Sequence, residues 1–193
     1  MIPAQASAPS LPVALAYGVA GMVLGGVMLT AAEEAAAERG AQEVAERLAA
    51  LPEEELVIYE PEEEGEAAHT VTVFTDVNCP YCQSLHEELD AYLEEGIRVR
   101  YAAFPLSEGS KETMDRIWCS DDRKEALHRA KIEGKEPEAE PCEASPVASH
   151  QEVAEQIGVP GTPTMVTPQG EVSFALAPED LADLLEEEAA QGR

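Results

Sequence analysis

The chain has 193 residues, which is enough for one domain of ordinary size with terminal extensions. Its 12 Lys and Arg residues face 39 Asp and Glu residues, so the formal net charge is −27 at pH 7. A charge of this sign excludes nucleic acid as a partner, because phosphate groups are bound by basic surfaces.

The first 32 residues carry no charged side chain. Within them, residues 11–32 form an uncharged, mostly apolar stretch of 22 residues, and a membrane-spanning helix needs about 20. The apolar part of a cleavable signal is usually shorter, although Thr30-Ala31-Ala32 resembles a cleavage site. We therefore expect residues 1–32 to be a membrane anchor or a signal segment, with a buried core helix as the third alternative. Either of the first two would export the rest of the chain.

The remainder of the chain alternates between predicted strands and helices. Residues 33–54 are rich in Ala, Glu and Arg and predict a polar helical stalk, and residues 55–193 predict one separate domain. The predicted elements of that domain are a strand at 55–59, an acidic linker at 60–68, a strand at 70–75, a helix at 80–95, a strand at 97–104, a helical stretch at 110–133 with a break near 120–121, a loop at 134–146, a helix at 147–157, a strand at 164–167, a turn at 168–170, a strand at 171–176 and a helix from 178. This order predicts an α/β fold in which helices cover both faces of one mixed sheet.

The run Cys79-Pro80-Tyr81-Cys82 falls between a predicted strand and a predicted helix. Pro80 suits the first helical position, so Cys79 would cap the helix. The free N–H groups and positive dipole of a helix N-terminus favour a thiolate, which is the nucleophile that attacks disulfides. Cys82 would lie one turn later and could resolve the mixed disulfide. The pattern therefore favours redox chemistry with Cys79 and Cys82 as catalytic residues.

Two other interpretations of this pair are an inert disulfide and a zinc site. Zinc sites commonly use two close pairs of ligands, and the remaining cysteines, Cys119 and Cys142, are not a second close pair. His86 could add a ligand, but it lies on the same predicted helix as the motif. We predict no metal site and no cofactor.

Cys119 and Cys142 would bracket a loop rich in Pro and Glu. A bridge between them would fasten that loop to the helical stretch, and an even number of cysteines suits an oxidising compartment. We predict a structural disulfide here, with a second redox pair as the alternative.

Thr162-Pro163 precedes a predicted strand. If the bond between them is cis and lies beside the cysteines, the Thr162 backbone could pair with an extended substrate. An ordinary trans proline that opens a strand is the other interpretation.

Several segments of the chain resemble, in one collinear order over roughly residues 55–190, the periplasmic disulfide isomerase branch of the thioredoxin superfamily (the DsbC/DsbG type). The matching segments are Val73-Phe74-Thr75-Asp76, Leu85-His86-Glu87, Arg100-Tyr101, Phe104-Pro105, Ile117-Trp118-Cys119, Cys142, and Gly158-Val159-Pro160-Gly161-Thr162-Pro163. The Cys-Pro-Tyr-Cys motif itself is less specific, because it also resembles the glutaredoxin motif.

The resemblance implies that residues 55–193 form a thioredoxin-like catalytic domain with a helical insertion. It implies Cys79 as nucleophile, Cys82 as resolving cysteine, and Pro80, Tyr81, Thr162 and cis-Pro163 as the substrate-binding positions. It also implies a Cys119–Cys142 bridge, protein substrates that contain disulfides, a periplasmic location and a membrane thiol reductase as electron donor.

The sequence departs from the family pattern at two places. The space before residue 55 holds only the hydrophobic segment and the predicted stalk, so we expect no N-terminal dimerisation domain and a monomer. Thioredoxins also place a buried acid six residues before the first cysteine, where this chain has Val73. Asp76 is nearer to the motif, but we assign it no role in proton transfer.

The sequence favours a reductase or isomerase of disulfides in exported proteins. A disulfide donor would use the same chemistry in the other direction, because the direction depends on the relative stability of thiolate and disulfide. A non-enzymatic assembly factor with this fold is the third hypothesis, and the intact Cys79 and Cys82 argue against it.

Overall fold

The computed structural model describes residues 30–61 and 67–191 and, for the backbone alone, 23–24 and 27–28. Its elements are β1 (Val23–Leu24), β2 (Val27–Met28), α1 (Ala31–Ala49), a single 3₁₀ turn (Glu53–Glu55), β3 (Val57–Tyr59), β4 (His69–Thr75), α2 (Pro80–Glu87), α3 (Leu89–Glu94), β5 (Ile97–Ala103), α4 (Glu108–Trp118), α5 (Arg123–Ile132), α6 (Val147–Gln156), β6 (Thr164–Val166), β7 (Val172–Phe174) and α7 (Pro178–Gln191).

Most of the predicted hydrophobic helix at 11–32 lies outside the described residues. The four described positions before Thr30 form two short antiparallel strands, β1 and β2, instead of a helix. None of the helices in the part of the chain that the structure describes combines the length and apolar character needed to cross a bilayer. The residues from Glu38 onward form one compact unit, to which the following description applies.

Five strands build one mixed sheet in the order β3-β5-β4-β6-β7. The β4 and β5 strands are parallel over seven pairs, from His69 opposite Ile97 to Thr75 opposite Ala103, and the other neighbours are antiparallel. A parallel pair needs a crossover, which α2 and α3 supply here. The predicted strand 70–75 is therefore central, and its C-terminal end points to the cysteine motif.

Side chains of β4 alternate between two separate apolar layers. Val71 and Val73 pack with α2, α3, α5 and α7, whereas Phe74 packs on the opposite face with residues of α1 and α6. This alternation follows from the period of two along a strand. The prediction of an α/β fold with helices on both faces is confirmed, and α4 with α5 forms the predicted helical insertion.

The predicted polar helix is present as α1, and its second half packs on the domain. Leu48 is buried with Phe74 and Val166. The backbone of Ala41 lies so close to Gly170 that a Cβ atom added at Gly170 would overlap the Ala41 carbonyl. Gly170 also has a φ of 88°, in the region that favours glycine. The turn before β7 therefore seats this part of α1.

The prediction of one helix from Pro80 to Glu95 was wrong, because the chain breaks at Glu88 into α2 and α3. No proline or glycine marks the break, so it is set by packing. Tyr92 is buried and its hydroxyl donates to the Leu176 carbonyl at 2.7 Å, which fixes α3 against the segment before α7. Gly96, with a φ of 71°, ends α3 as predicted.

Candidate active site

The two cysteines of the motif lie at the start of α2, directly after the loop that leaves β4. Cys79 is the N-cap residue, and Pro80 occupies the first turn. Proline is well tolerated there, since the first N–H groups of a helix have no partner within it. Both cysteines are free thiols; Cys79 is 8% exposed and Cys82 is 0% exposed. Cys79 is therefore the sulfur that an incoming substrate can reach.

The Asp76 carboxylate holds the loop that carries the motif. It accepts hydrogen bonds from the backbone N–H groups of Asn78 and Leu106, each at 2.6 Å, and from the Ser110 hydroxyl at 3.1 Å. The three donors come from the loop itself, from the segment after β5 and from α4. Asp76 thus has an architectural role: it ties the start of α2 to the rest of the domain.

Thr162 and Pro163 lie beside the cysteine that caps α2. The peptide bond between them is cis. The Cys79 thiol donates a hydrogen bond to the Thr162 carbonyl at 3.3 Å, across 83 positions of sequence. Within the described residues, the buried Oγ1 of Thr162 has no hydrogen-bond partner. Its proton is therefore available to the neighbouring sulfur once that sulfur is ionised.

The environment lowers the pKa of Cys79. Burial acts in the opposite direction and raises the pKa of this thiol, but it is outweighed by hydrogen bonds to the thiolate from Thr162, from the backbone and side chain of Cys82 and from the backbone of Tyr81. Hydrogen bonds to the charged form of a group favour that form. Cys79 is thus prepared to act as the attacking thiolate.

The pKa of Cys82 is shifted the other way. Burial raises it, and the positive charge of Lys131 is the largest of the effects that oppose this rise. The two sulfurs therefore have opposite tendencies: Cys79 favours the thiolate and Cys82 favours the thiol. This asymmetry suits a nucleophile and a resolving group.

Lys131 was not identified from the sequence. It lies on α5 and is 4% exposed, with its Nζ close to the end of β4. The available signal was its spacing, because Leu127 and Lys131 are four residues apart and therefore share a helix face. A lysine on an otherwise apolar face marks a buried charge.

Two exposed aromatic rings lie next to the motif. Tyr81 is 68% exposed and Phe174, on the edge strand β7, is 53% exposed. Their ring centroids are 6.1 Å apart in an edge-to-face arrangement. Tyr81 is one of the predicted substrate-binding positions, whereas Phe174 was not identified from the sequence. Only the tertiary fold brings these two rings together, because the residues lie far apart in the chain.

Cys119 and Cys142 form a disulfide, with their Cα atoms 5.8 Å apart. Cys119 caps the C-terminus of α4, and Cys142 lies in the loop before α6. The bridge fastens that loop to the helical insertion, whereas Cys79 and Cys82 form a separate pair of free thiols. In the same insertion, the Trp118 indole N–H donates to the Glu55 carbonyl at 2.7 Å and anchors α4 to the segment before β3.

His86 has the surroundings of a core residue. Its Nδ1 lies 3.3 Å from the Tyr101 hydroxyl, and its ring packs against Tyr59 and His128. Burial, with smaller contributions from Lys131 and His128, lowers the pKa of His86 to about 3. Among the described residues, no group of three or more His, Cys, Asp and Glu side chains could hold a metal ion.

Comparison with protein families matches residues 61–189, more than half of the chain, to the thioredoxin-like domain. The chain belongs to the thioredoxin-like family. This assignment agrees with the mixed sheet, the cysteine pair at the start of α2 and the cis proline beside it.

Within this thioredoxin-like family, the chain is similar to proteins named for disulfide interchange. It is 36% identical over 143 residues to thiol:disulfide interchange protein DsbC of Salmonella typhimurium, which covers 72% of this chain and 58% of that protein. It is 40% identical over 140 residues to the DsbC of Haemophilus influenzae, over 70% of this chain and 59% of the relative. A crystal structure of a disulfide interchange protein from Neisseria gonorrhoeae superposes with a TM-score of 0.60 and 26% identity, covering 70% of this chain and 99% of that one. The chain thus spans less than two thirds of the curated relatives' length.

Proposed function

We propose that this protein is a thiol–disulfide oxidoreductase that reduces or isomerises disulfides of exported proteins. The observation that carries the proposal is the pair of free thiols at the start of α2, in which the pKa of Cys79 is lowered and that of Cys82 is raised. Similarity to proteins named for disulfide interchange supports the same chemistry.

The reaction follows from the different exposure of the two sulfurs. The Cys79 thiolate attacks one sulfur of a substrate disulfide, and the other substrate sulfur leaves with its electron pair and takes up a proton. Cys82 then loses its proton and attacks the Cys79 sulfur, so the Cys79–Cys82 bond forms and the second substrate thiol is released. The substrate gains two electrons and two protons in total. In isomerisation a substrate thiol attacks instead, and Cys79 is regenerated without net oxidation.

Substrate binding is assigned to the surface around Cys79. Pro80 and Tyr81 follow it on α2, and Thr162 with cis-Pro163 lies across from it. The exposed Tyr81 and Phe174 rings offer apolar contact to side chains that flank a substrate disulfide, and aromatic rings contribute strongly at interfaces. The Thr162 backbone is the element that would align an extended substrate segment.

The partners and location follow from this proposal. Substrates are exported proteins with disulfides, the location is the periplasm, and a membrane thiol reductase returns the cysteine pair to the dithiol state. The protein acts as a monomer, either anchored through residues 11–32 or soluble after cleavage. Mass spectrometry of the mature N-terminus distinguishes these two forms, because a start near Glu33 excludes the anchor.

Insulin reduction by dithiothreitol tests the chemistry. Cys79→Ser should abolish the activity, and Cys82→Ser should accumulate a mixed disulfide with the substrate, because the resolving sulfur is missing. The control is the double variant Cys119→Ser with Cys142→Ser, which removes the two sulfurs of the disulfide away from α2 and should retain activity. Activity that survives Cys79→Ser would refute the mechanism and favour a non-enzymatic role.

One observation also favours a disulfide donor. Hydrogen bonds that stabilise the Cys79 thiolate stabilise the reduced protein, and a stabilised reduced form makes the oxidised pair a stronger oxidant. The reduction potential of the Cys79/Cys82 pair, measured against glutathione, separates the alternatives. A strongly oxidising potential favours the donor, and a thioredoxin-like potential favours reduction.

A further inference from the structure

A buried cation lies on the face of α5 that packs against the active site. Lys131 shares this face with Leu127 and Ala130, which are both buried. A fully buried lysine is uncommon, because removing an ammonium from water is unfavourable unless other groups compensate. Packing alone therefore does not account for the burial of the Lys131 ammonium, and other groups must compensate its charge.

The direct partners of this ammonium do not neutralise it. Lys131 Nζ donates to the Thr75 hydroxyl at 2.9 Å and to the Asp76 carbonyl at 3.0 Å, and both acceptors are uncharged. These two residues form the end of β4 and the start of the loop that leads to Cys79. Lys131 is thus held by hydrogen bonds directly behind the cysteine motif.

Negative charge that could compensate Lys131 comes mainly from the motif. Burial lowers the pKa of Lys131 to about 8, and negative charge on Cys82, then on Asp76 and Cys79, acts to raise it. The interaction is mutual, because Lys131 is also the largest influence that lowers the pKa of Cys82 against the effect of burial. Opposite charges each favour the other's ionised state.

We propose that Lys131 is a positioning residue for the resolution step, in which its buried ammonium stabilises the thiolate of Cys82. This inference rests on the proposed function. In that step Cys82 gives its proton to a base in the solvent, its sulfur bonds to Cys79, and the bond between Cys79 and the substrate sulfur breaks. The substrate sulfur leaves with the electron pair and is protonated by water, while Lys131 keeps its charge. The positive charge stabilises the reduced pair, in which Cys82 can carry a thiolate, relative to the Cys79–Cys82 disulfide. Lys131 therefore also makes the pair more oxidising.

Several titratable groups face the Lys131 ammonium and the Cys82 thiolate, and they do not all change charge in the pH range of the assay. Cys79, Cys82, Asp76 and His86 lie around Lys131, and the pKa of His86 is lowered to about 3 by burial, so His86 is neutral above about pH 5. Tyr101 and Tyr59, beyond His86, have pKa values raised by burial above the alkaline range of the assay. The His128 ring lies 5.5 Å from the His86 ring in a tilted arrangement, and His128→Gln serves as a further control.

The test measures resolution without a protein substrate. The reduced protein is mixed rapidly with dithiobis(nitrobenzoate): Cys79 attacks its disulfide, which forms a mixed disulfide and releases one coloured thionitrobenzoate. A second thionitrobenzoate is released when Cys82 attacks the Cys79 sulfur, and this second phase reports the resolution step. The release rate is followed from about pH 6 to about pH 10 in the wild type, Lys131→Met and Lys131→Gln. Because burial lowers the pKa of Lys131 to about 8, the effect of its charge is compared on the part of the profile below that pH. Gln retains a hydrogen-bond donor and removes the charge. Lys135→Met is the matched control, since it removes a lysine charge at a site that is 55% exposed.

Both neutral variants should release thionitrobenzoate roughly three- to tenfold more slowly near neutral pH, because each unit of pKa increase lowers the thiolate fraction tenfold and nucleophilicity recovers part of that loss. Their rate profiles should shift to higher pH, and their reduction potentials should become more negative. Lys135→Met should match the wild type.

If Lys131→Gln releases thionitrobenzoate at the wild-type rate while Lys131→Met releases it slowly, the proposal is overturned. Hydrogen bonding by the side chain, without its charge, would then explain the effect of Lys131. Unchanged profiles in both would overturn it as well. If Lys131→Met does not fold, Lys131→Gln still decides. Normal release with no insulin reduction in the wild type would refute the proposed function and leave the role of Lys131 intact.

Discussion

His150 is a buried histidine whose protonation should limit stability at acid pH. It lies on α6 with 0% exposure, and its Nδ1 accepts a hydrogen bond from the Ala103 N–H at 3.2 Å. The Trp118 ring covers one side at a centroid distance of 6.0 Å. Burial, with a smaller contribution from Arg123, lowers the pKa of His150 from 6.5 to about 4. The folded protein therefore holds the neutral imidazole.

The sign of the effect follows from proton binding. Below pH 6.5 the unfolded chain binds a proton at this site that the folded protein binds only near pH 4, so stability is fully present above 6.5 and is lost as the pH falls toward 4. The loss between pH 7 and pH 5 should be about 2 kcal/mol, since each pKa unit corresponds to about 1.4 kcal/mol. His86, whose pKa is lowered to about 3, should add a loss of the same sign in the same range.

Urea unfolding at pH 7 and at pH 5 measures the effect of His150 alone when the wild type is compared with His150→Gln. The difference in the free energy of unfolding between the two proteins should change by about 2 kcal/mol, because only the wild type loses the contribution of His150. Carboxylates titrate in both proteins, so their effect cancels. For His150→Phe, the difference from the wild type in the free energy of unfolding should change by the same amount between pH 7 and pH 5. Only its pH-independent part should differ from that of His150→Gln. A difference that is equal at both pH values would refute the assignment to His150.

Two further predictions concern the scaffold of the site. Replacing Cys119 and Cys142 by Ser should lower the free energy of unfolding by about 3 kcal/mol, because the bridge closes a loop with a sequence separation of 23. Insulin reduction should be retained. Urea unfolding measures the loss of stability, and an unchanged unfolding midpoint would contradict the prediction. Gly170→Ala should destabilise the domain by more than about 1 kcal/mol, since φ is 88° and the new Cβ would overlap the Ala41 carbonyl. Gly40→Ala is its control: nothing lies within 4 Å of the new Cβ in α1, so thermal unfolding should show a gain of about 0.5–1 kcal/mol. Equal shifts at both glycines would contradict the proposed seating of α1.

The fold explains how neighbouring sulfurs acquire different roles. The β4 strand delivers the motif to the start of α2, where backbone N–H groups face Cys79. The same helix turns Cys82 inward, toward a lysine supplied by the helical insertion. The proposed roles of nucleophile and resolving group thus follow from the different electrostatic environments at the two ends of one short motif.

Several features could be predicted from sequence because they depend on residues close together in the chain. The β-branched run at 70–75 specifies a strand, Pro80 marks the first turn of a helix, and Gly96 ends the next one. The Cys79–Cys82 spacing then places the second sulfur one turn from the first. These signals were sufficient for the α/β fold, the helical insertion and the position of the cysteine pair within it.

The tertiary structure decided the features that join distant parts of the chain. It brought the Thr162 carbonyl within 3.3 Å of the Cys79 sulfur, placed Lys131 behind the motif and set the Tyr81 and Phe174 rings beside each other. It also broke the predicted helix at Glu88, where no local signal exists. The physical reason is that pKa values and packing depend on burial and on charges that only folding brings together. The sequence alone predicted Cys79 as the nucleophile from its place at the start of a helix, and the folded environment supplied the Thr162 carbonyl and the Lys131 charge that set the two sulfurs apart.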